Sequence, residues 1–140
     1  MDMQLLNKAV VSLSYKRNEI LIFWSTIQML GNPKYIQILV DVNEKKMGIK
    51  ALEYEKFESI IVPDKQSYQW SFKIRSRHFV HNIWKLTNWE RDYSYRMYGE
   101  IVKDNELVEF RFDEGVQMFE GCKVLEEYSK NEKIEEDTGE

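Results

Sequence analysis

Residues 70–89, WSFKIRSRHFVHNIWKLTNW, set Lys73, Arg75, Arg77, His78 and Lys85 among aromatic and aliphatic side chains. At strand period, Lys73 and Arg75 fall on the face opposite Trp70, Phe72 and Ile74. Ser76 is then placed to cap a helix, so Arg77 and His78 lie at its N-terminus, where backbone amides themselves attract phosphate, and Lys85 lies near its end. Cations spaced this way match the backbone of a nucleic acid, whose phosphates supply most of the binding free energy. Lys73, Arg75, Arg77, His78 and Lys85 are therefore the expected nucleic-acid-binding residues. The period of the aromatic residues assigns them to the core rather than to base stacking.

Other chemistry finds little support. His78 and His81 are three apart on the same helix, within reach of a common metal, yet no Cys pair, HExxH pattern or carboxylate at matching spacing accompanies them. Phosphate-binding GxxxxGK[ST] and GxGxxG loops, a GxSxG nucleophile elbow and a CxxC pair are all missing. Glu53, Glu55 and Glu58 alternate like solvent-facing residues of a strand edge. The expectation is a binding protein with no catalytic residues, no metal and no cofactor. The single cysteine, Cys122, cannot form an intrachain disulfide, and the N-terminus MDMQLLNKAV does not read as a signal peptide, so a cytoplasmic location is expected.

A chain of 140 residues fits one domain, and 43% hydrophobic content supplies a core, while runs such as Ile20 to Trp24 are too short to span a membrane. The net charge of −4 hides an uneven distribution. Residues 126–140 hold seven acids and two bases, a balance of −5, which leaves +1 on residues 1–125. Between Lys65 and Arg91, six bases face Glu90 alone. The expected organisation is one globular domain over 1–125 followed by an acidic, disordered tail over 126–140. That tail either aids solubility or competes with nucleic acid for the basic segment as an internal phosphate mimic.

The elements that must position the cations come in a recurring order. Residues 9–15 and 20–24 read as a hairpin. Ser25 offers a cap for a short helix that Gly31 and Pro33 end, and residues 35–42 and 47–52 form a second hairpin around a polar turn. Residues 57–62 and 70–75 then read as strands, 77–86 as a longer helix with Phe79, Val80, Ile83, Trp84 and Leu86 on its apolar side, and 95–102 and 107–112 as a further hairpin. The expected fold class is α+β and mostly antiparallel β, with two tandem ββαββ units (9–52 and 57–112) packed as one pseudo-symmetric domain. Each unit alone is too small to bury its own faces.

The stretch ILIFWSTIQMLGNPKYIQILVDVNEKKMGIK resembles the SpoVT/AbrB-like swapped-hairpin family, in which a strand leads into a short helix ending in Leu-Gly and then into a hairpin. The resemblance covers residues 9–52 well and 57–112 loosely, as in the MraZ branch with two copies per chain. It implies a bacterial or phage transcription regulator that binds DNA, and a homodimer, since family members pair through interleaved hairpins. The family's Arg before the helix and the bases on it are replaced in the first copy by Glu19 or Ile20 and by Ile27-Gln28, so the resemblance leaves phosphate contacts to Arg75, Arg77 and Lys85 of the second. A different function stands beside this one. The runner-up is a protein-interaction module of a phage or mobile element, an accessory or inhibitor protein anchored by Trp24, Trp84, Trp89 or Tyr98.

Overall fold

A computed structural model describes residues 8–65, 69–104 and 106–118. Cys122 and the acidic segment 126–140 lie outside the described residues. The elements, in chain order, are β1 (Ala9–Ser14), β2 (Glu19–Phe23), α1 (Trp24–Met29), β3 (Tyr35–Asp41), β4 (Lys46–Leu52), β5 (Ile60–Ile61), β6 (Ser71–Arg75), α2 (Arg77–Leu86), β7 (Ser94–Lys103), β8 (Leu107–Arg111), a 3-10 turn (Phe112–Glu114) and β9 (Val116–Met118). Among the described residues the fold is mostly antiparallel β with two short helices. Among the described residues no helix is long and apolar enough to cross a membrane.

Strands are joined in the order β5-β3-β4-β8-β7-β1-β2-β6, with β9 added to β7. The ten-residue β7 links the two halves of the sheet: Ser94 to Gly99 pair with β1, and Glu100 to Lys103 pair with β8. The alternation that marks the strands places Val11, Leu13, Ile20, Ile22, Met97 and Phe110 in one shared core, each almost fully enclosed. β1 is buried on its second face as well. There Ser12 Oγ accepts from Arg96 Nε at 3.3 Å, and Ser14 Oγ accepts from the Arg17 backbone N–H at 3.3 Å.

Helix α1 begins at Trp24 directly from β2, and Phe23 rather than Ser25 takes the cap position with no side-chain bond. The helix is held from outside instead. Thr26 Oγ1, fully buried, accepts from Val10 N–H at 2.8 Å and donates to Val10 C=O at 2.9 Å. The expected Leu-Gly stop is present: Gly31 takes φ +80°, and the Asn32 N–H reaches back to Ile27 C=O at 2.9 Å. Helix α2 occupies the span read from its sequence, with Ser76 Oγ accepting from Phe79 N–H at 3.2 Å.

Several expectations fail locally. Phe57 is 91% exposed in a loop, and of residues 57–62 Ile60 and Ile61 pair as strand; Glu53, Glu55 and Glu58 sit in that loop rather than along a strand edge. Phe112 leaves the strand for the 3-10 turn because its ring is drawn into the core against Trp89, at 5.9 Å between ring centroids. β9 had no sequence signal, being three residues long. Trp70, assigned to the core by alternation, is 83% exposed because β6 begins after it, at Ser71. Conversely Trp24 and Trp84 are buried and Trp89 is half-buried, so none of the three is a surface anchor; Tyr98 is exposed.

Candidate nucleic-acid interface

The cations of the second half stand on two adjoining elements. Lys73 and Arg75 point outward from β6, whose partner β2 sets Glu19 opposite Arg75 and Leu21 opposite Lys73. The Glu19 side chain, 5% exposed, lies with Oε1 3.6 Å from Lys73 Nζ and 3.5 Å from an Arg75 guanidinium nitrogen. Both cations remain mostly exposed, so this one carboxylate partly neutralises the pair without covering it.

Ser76 joins β6 to α2, and its N–H donates to Asn18 C=O at 2.9 Å, which brings the β1–β2 turn beside the start of the helix. On α2, Arg77, His81 and Lys85 recur every fourth residue and so share one side. His81 lies at the middle of that stripe. Its ring stacks on Tyr15 at 4.4 Å and 14°, and its Nε2 donates to Asn18 Oδ1 at 3.0 Å. Arg91 completes the group from the segment between α2 and β7, its guanidinium carbon lying over the Tyr15 ring, 5.0 Å from the centroid.

That segment is anchored from both ends. Trp84 Nε1–H donates to Glu90 C=O at 3.3 Å, and the Glu90 N–H donates to the Tyr95 hydroxyl oxygen at 2.8 Å. Trp89 stacks on Tyr95 at 4.4 Å and meets Trp84 edge-on at 5.1 Å. The aromatic residues of the segment therefore act as the frame that presents Arg91.

Partial burial of the His81 ring, followed by the positive charges of Arg77, Arg91 and Lys85, holds its pKa below the usual imidazole value. Among the described ion pairs none involves Arg77, Lys85 or Arg91, whereas Lys16 is paired with Asp92 at 3.6 Å.

All five residues expected from the sequence are thus exposed or outward-facing, but they do not form one cluster. Lys73 and Arg75 form a pair around Glu19, Arg77 and Lys85 belong to the stripe around His81, and His78 turns to its own helix, accepting from Asn82 Nδ2 at 3.2 Å. Tyr15, Asn18, His81 and Arg91 were missed as site residues. The fourfold spacing of Arg77, His81 and Lys85 is a signal that could have selected His81 over His78; nothing local could have placed Tyr15 or Arg91 beside them. Among the described residues no group of three or more His, Cys, Asp or Glu side chains is positioned to hold a metal.

A scan against protein-family models, a search of curated proteins and a search of solved structures return no match to this chain.

Proposed function

We propose that the chain is a non-catalytic DNA-binding protein of the transcription-regulator kind, acting in the cytoplasm, which meets duplex phosphates through Arg77, Lys85 and Arg91, extended along β6 by Lys73 and Arg75. The observation that carries this reading is the placement of Arg77 and Lys85 one turn to either side of His81 on α2, with Arg91 over the Tyr15 ring on which His81 stacks, none of the three cations having an ion-pair partner among the described residues. Cations brought together in the absence of an anion repel one another, and a bound phosphate relieves that repulsion.

The strand order supports the tandem part of the reading. When β1 to β4 are exchanged with β5 to β8, each pair of neighbours along the path β5-β3-β4-β8-β7-β1-β2-β6 maps onto a pair of neighbours except β1–β2, whose counterpart β5–β6 is not joined; β9, added to β7, has no counterpart. Two ββαββ units that exchange hairpins across a shared core would pair in this way. The swapped-hairpin resemblance and the homodimer it implies rest on the same reading.

The test is fluorescence anisotropy of random duplex DNA over a series of salt concentrations, comparing the native chain with Arg77→Ala/Arg91→Ala. Loss of two phosphate contacts reduces the slope of log K against log salt by about 1.8. No binding at low salt, or an unchanged slope in the double variant, would overturn the assignment. A second reading, a protein-interaction module, is favoured by Tyr54, Phe57, Ile61 and Trp70, which are between 65% and 91% exposed. Failure of the DNA experiment would leave that reading in its place.

A further inference from the structure

Far from His81 in sequence, a cleft of about 770 Å³ opens between the end of α1, the end of β4 and the loop that follows β4. Its floor is apolar, formed by Leu30, Pro33 and Leu52. Lys34, Lys50 and Lys56 line it, and none of the three occurs among the described ion pairs. Of the two acids on its rim, Glu106 is already paired with Lys103 at 3.2 Å, which leaves Glu53 against three ammonium groups. Tyr54 also lines the cleft, and 73% of it is exposed.

Hydrogen bonds tie together the segments that line the cleft. Ser59 closes the loop on Lys56, donating its hydroxyl to Lys56 C=O at 2.7 Å while its Oγ accepts from the Lys56 N–H at 3.1 Å. Beyond the loop, Val62 N–H donates to Lys34 C=O at 2.9 Å. The opposite wall is tied by Ala51 N–H to Glu106 C=O at 2.8 Å. An open cleft of this size, with apolar residues and three lysines in its lining, has the form of a small-molecule site.

We propose that this cleft binds a nucleoside phosphate, its base lying against Tyr54 and the apolar floor and its phosphates held by Lys34, Lys50 and Lys56. An inorganic anion would leave the floor and the tyrosine ring unused, and a neutral ring compound would leave three ammonium groups without a counter-charge. A nucleoside phosphate supplies both parts. The site is independent of the duplex-binding surface and shares no residue with it.

Calorimetric titration of the full chain with ATP, AMP, adenosine, inorganic phosphate and an unstructured oligothymidylate tests the assignment. ATP binds more tightly than AMP, and adenosine or phosphate alone binds at least about tenfold more weakly than AMP, since each keeps one half of the contacts. Lys34→Glu/Lys56→Glu weakens ATP binding by about tenfold or more, and Tyr54→Ala by about fivefold or more. Arg77→Ala/Arg91→Ala leaves it unchanged. Saturation by the mononucleotides identifies a free nucleotide as ligand; saturation by oligothymidylate alone, with the same dependence on Lys34 and Lys56, identifies a unit of a single strand. The side chains of Lys34 and Lys56 are exposed, so the charge-reversed chain should keep its circular dichroism spectrum. The proposal is overturned if neither a mononucleotide nor the oligothymidylate saturates at millimolar concentration, or if binding survives charge reversal in a folded chain.

Discussion

Replacing Glu19 by Gln removes the one carboxylate set between Lys73 and Arg75 while keeping size and a hydrogen-bond acceptor for the guanidinium. If β6 belongs to the DNA surface, this loss of a native interaction strengthens binding. A phosphate seated on either cation would lie about 7 Å from the Glu19 carboxylate, where the repulsion is roughly 0.6 kcal/mol in bulk water and 2.4 kcal/mol at an effective dielectric of 20. Lys73 and Arg75 are 59% and 72% exposed, so the water-like end governs and the gain is up to about threefold, smaller as salt rises. One added positive charge also steepens the salt slope by about 0.9. Folding changes by about 1 kcal/mol, because loss of the buried Glu19 charge removes its desolvation cost together with two attractions that the exposed partners already screen. Anisotropy titrations of Glu19→Gln against the native chain measure both effects, with Glu55→Gln, an exposed loop acid, as the control for net charge alone. Equal affinity and slope in Glu19→Gln and Glu55→Gln would remove β6 from the surface, whatever Arg77 and Arg91 do.

Three further outcomes test the fold around the site. Thr26→Val deprives Val10 N–H and C=O of their buried partner, so the urea midpoint should fall by the equivalent of about 1–3 kcal/mol with the m-value unchanged, whereas Thr26→Ser, which keeps the hydroxyl, should lose less. Gly99→Ala places a Cβ 2.5 Å from a Phe110 ring carbon and 2.7 Å from Glu109 C=O; thermal unfolding should reveal a loss of about 1–3 kcal/mol or more, and an unchanged midpoint would refute the packing. The folded-state pKa of His81 is lowered, so between that value and the unfolded value of about 6.5 the unfolded chain binds more protons. The contribution of His81 is therefore complete above the unfolded value and is lost as pH falls below it. Urea titrations at pH values on either side should show a larger loss on acidification for the native chain than for His81→Gln.

The elements were readable where local chemistry and tertiary packing agree. Ser76 followed by the apolar spacing of Val80, Ile83 and Trp84 gave α2 its observed bounds, and the apolar alternation of β1, β2 and β3 gave their positions to within a residue or so. Where a long-range contact decides, the reading failed. Ser25 is a good capping residue in isolation, but α1 follows β2 without a turn and is pinned by Thr26 to β1 across sixteen residues of chain. Phe112 continues a strand pattern, yet burial against Trp89 outweighs its β-propensity. Trp70 has the right period for a core residue and no strand beneath it.

The basic character of the second half was legible as a count, and its arrangement was not, because charge acts through space rather than along the chain. Lys73 and Arg75 looked equivalent to Arg77 in sequence. Pairing β2 with β6 moves Glu19, an acid from the other half, under the first two and leaves Arg77 without it. The same folding brings Tyr15 and Asn18 from the β1–β2 turn onto the helix stripe, so the two halves together make a surface that neither carries alone. It follows that cutting the chain between β4 and β6 should abolish the His81 environment even if the C-terminal fragment keeps its strands. A fragment beginning after Leu52 keeps Arg77, Lys85 and Arg91 but loses the Tyr15 ring, so by proton NMR its His81 titration should move part of the way back toward the ordinary imidazole value. Retention of the lowered value in that fragment would show that the helix alone creates it, and that Tyr15 and Asn18 are bystanders.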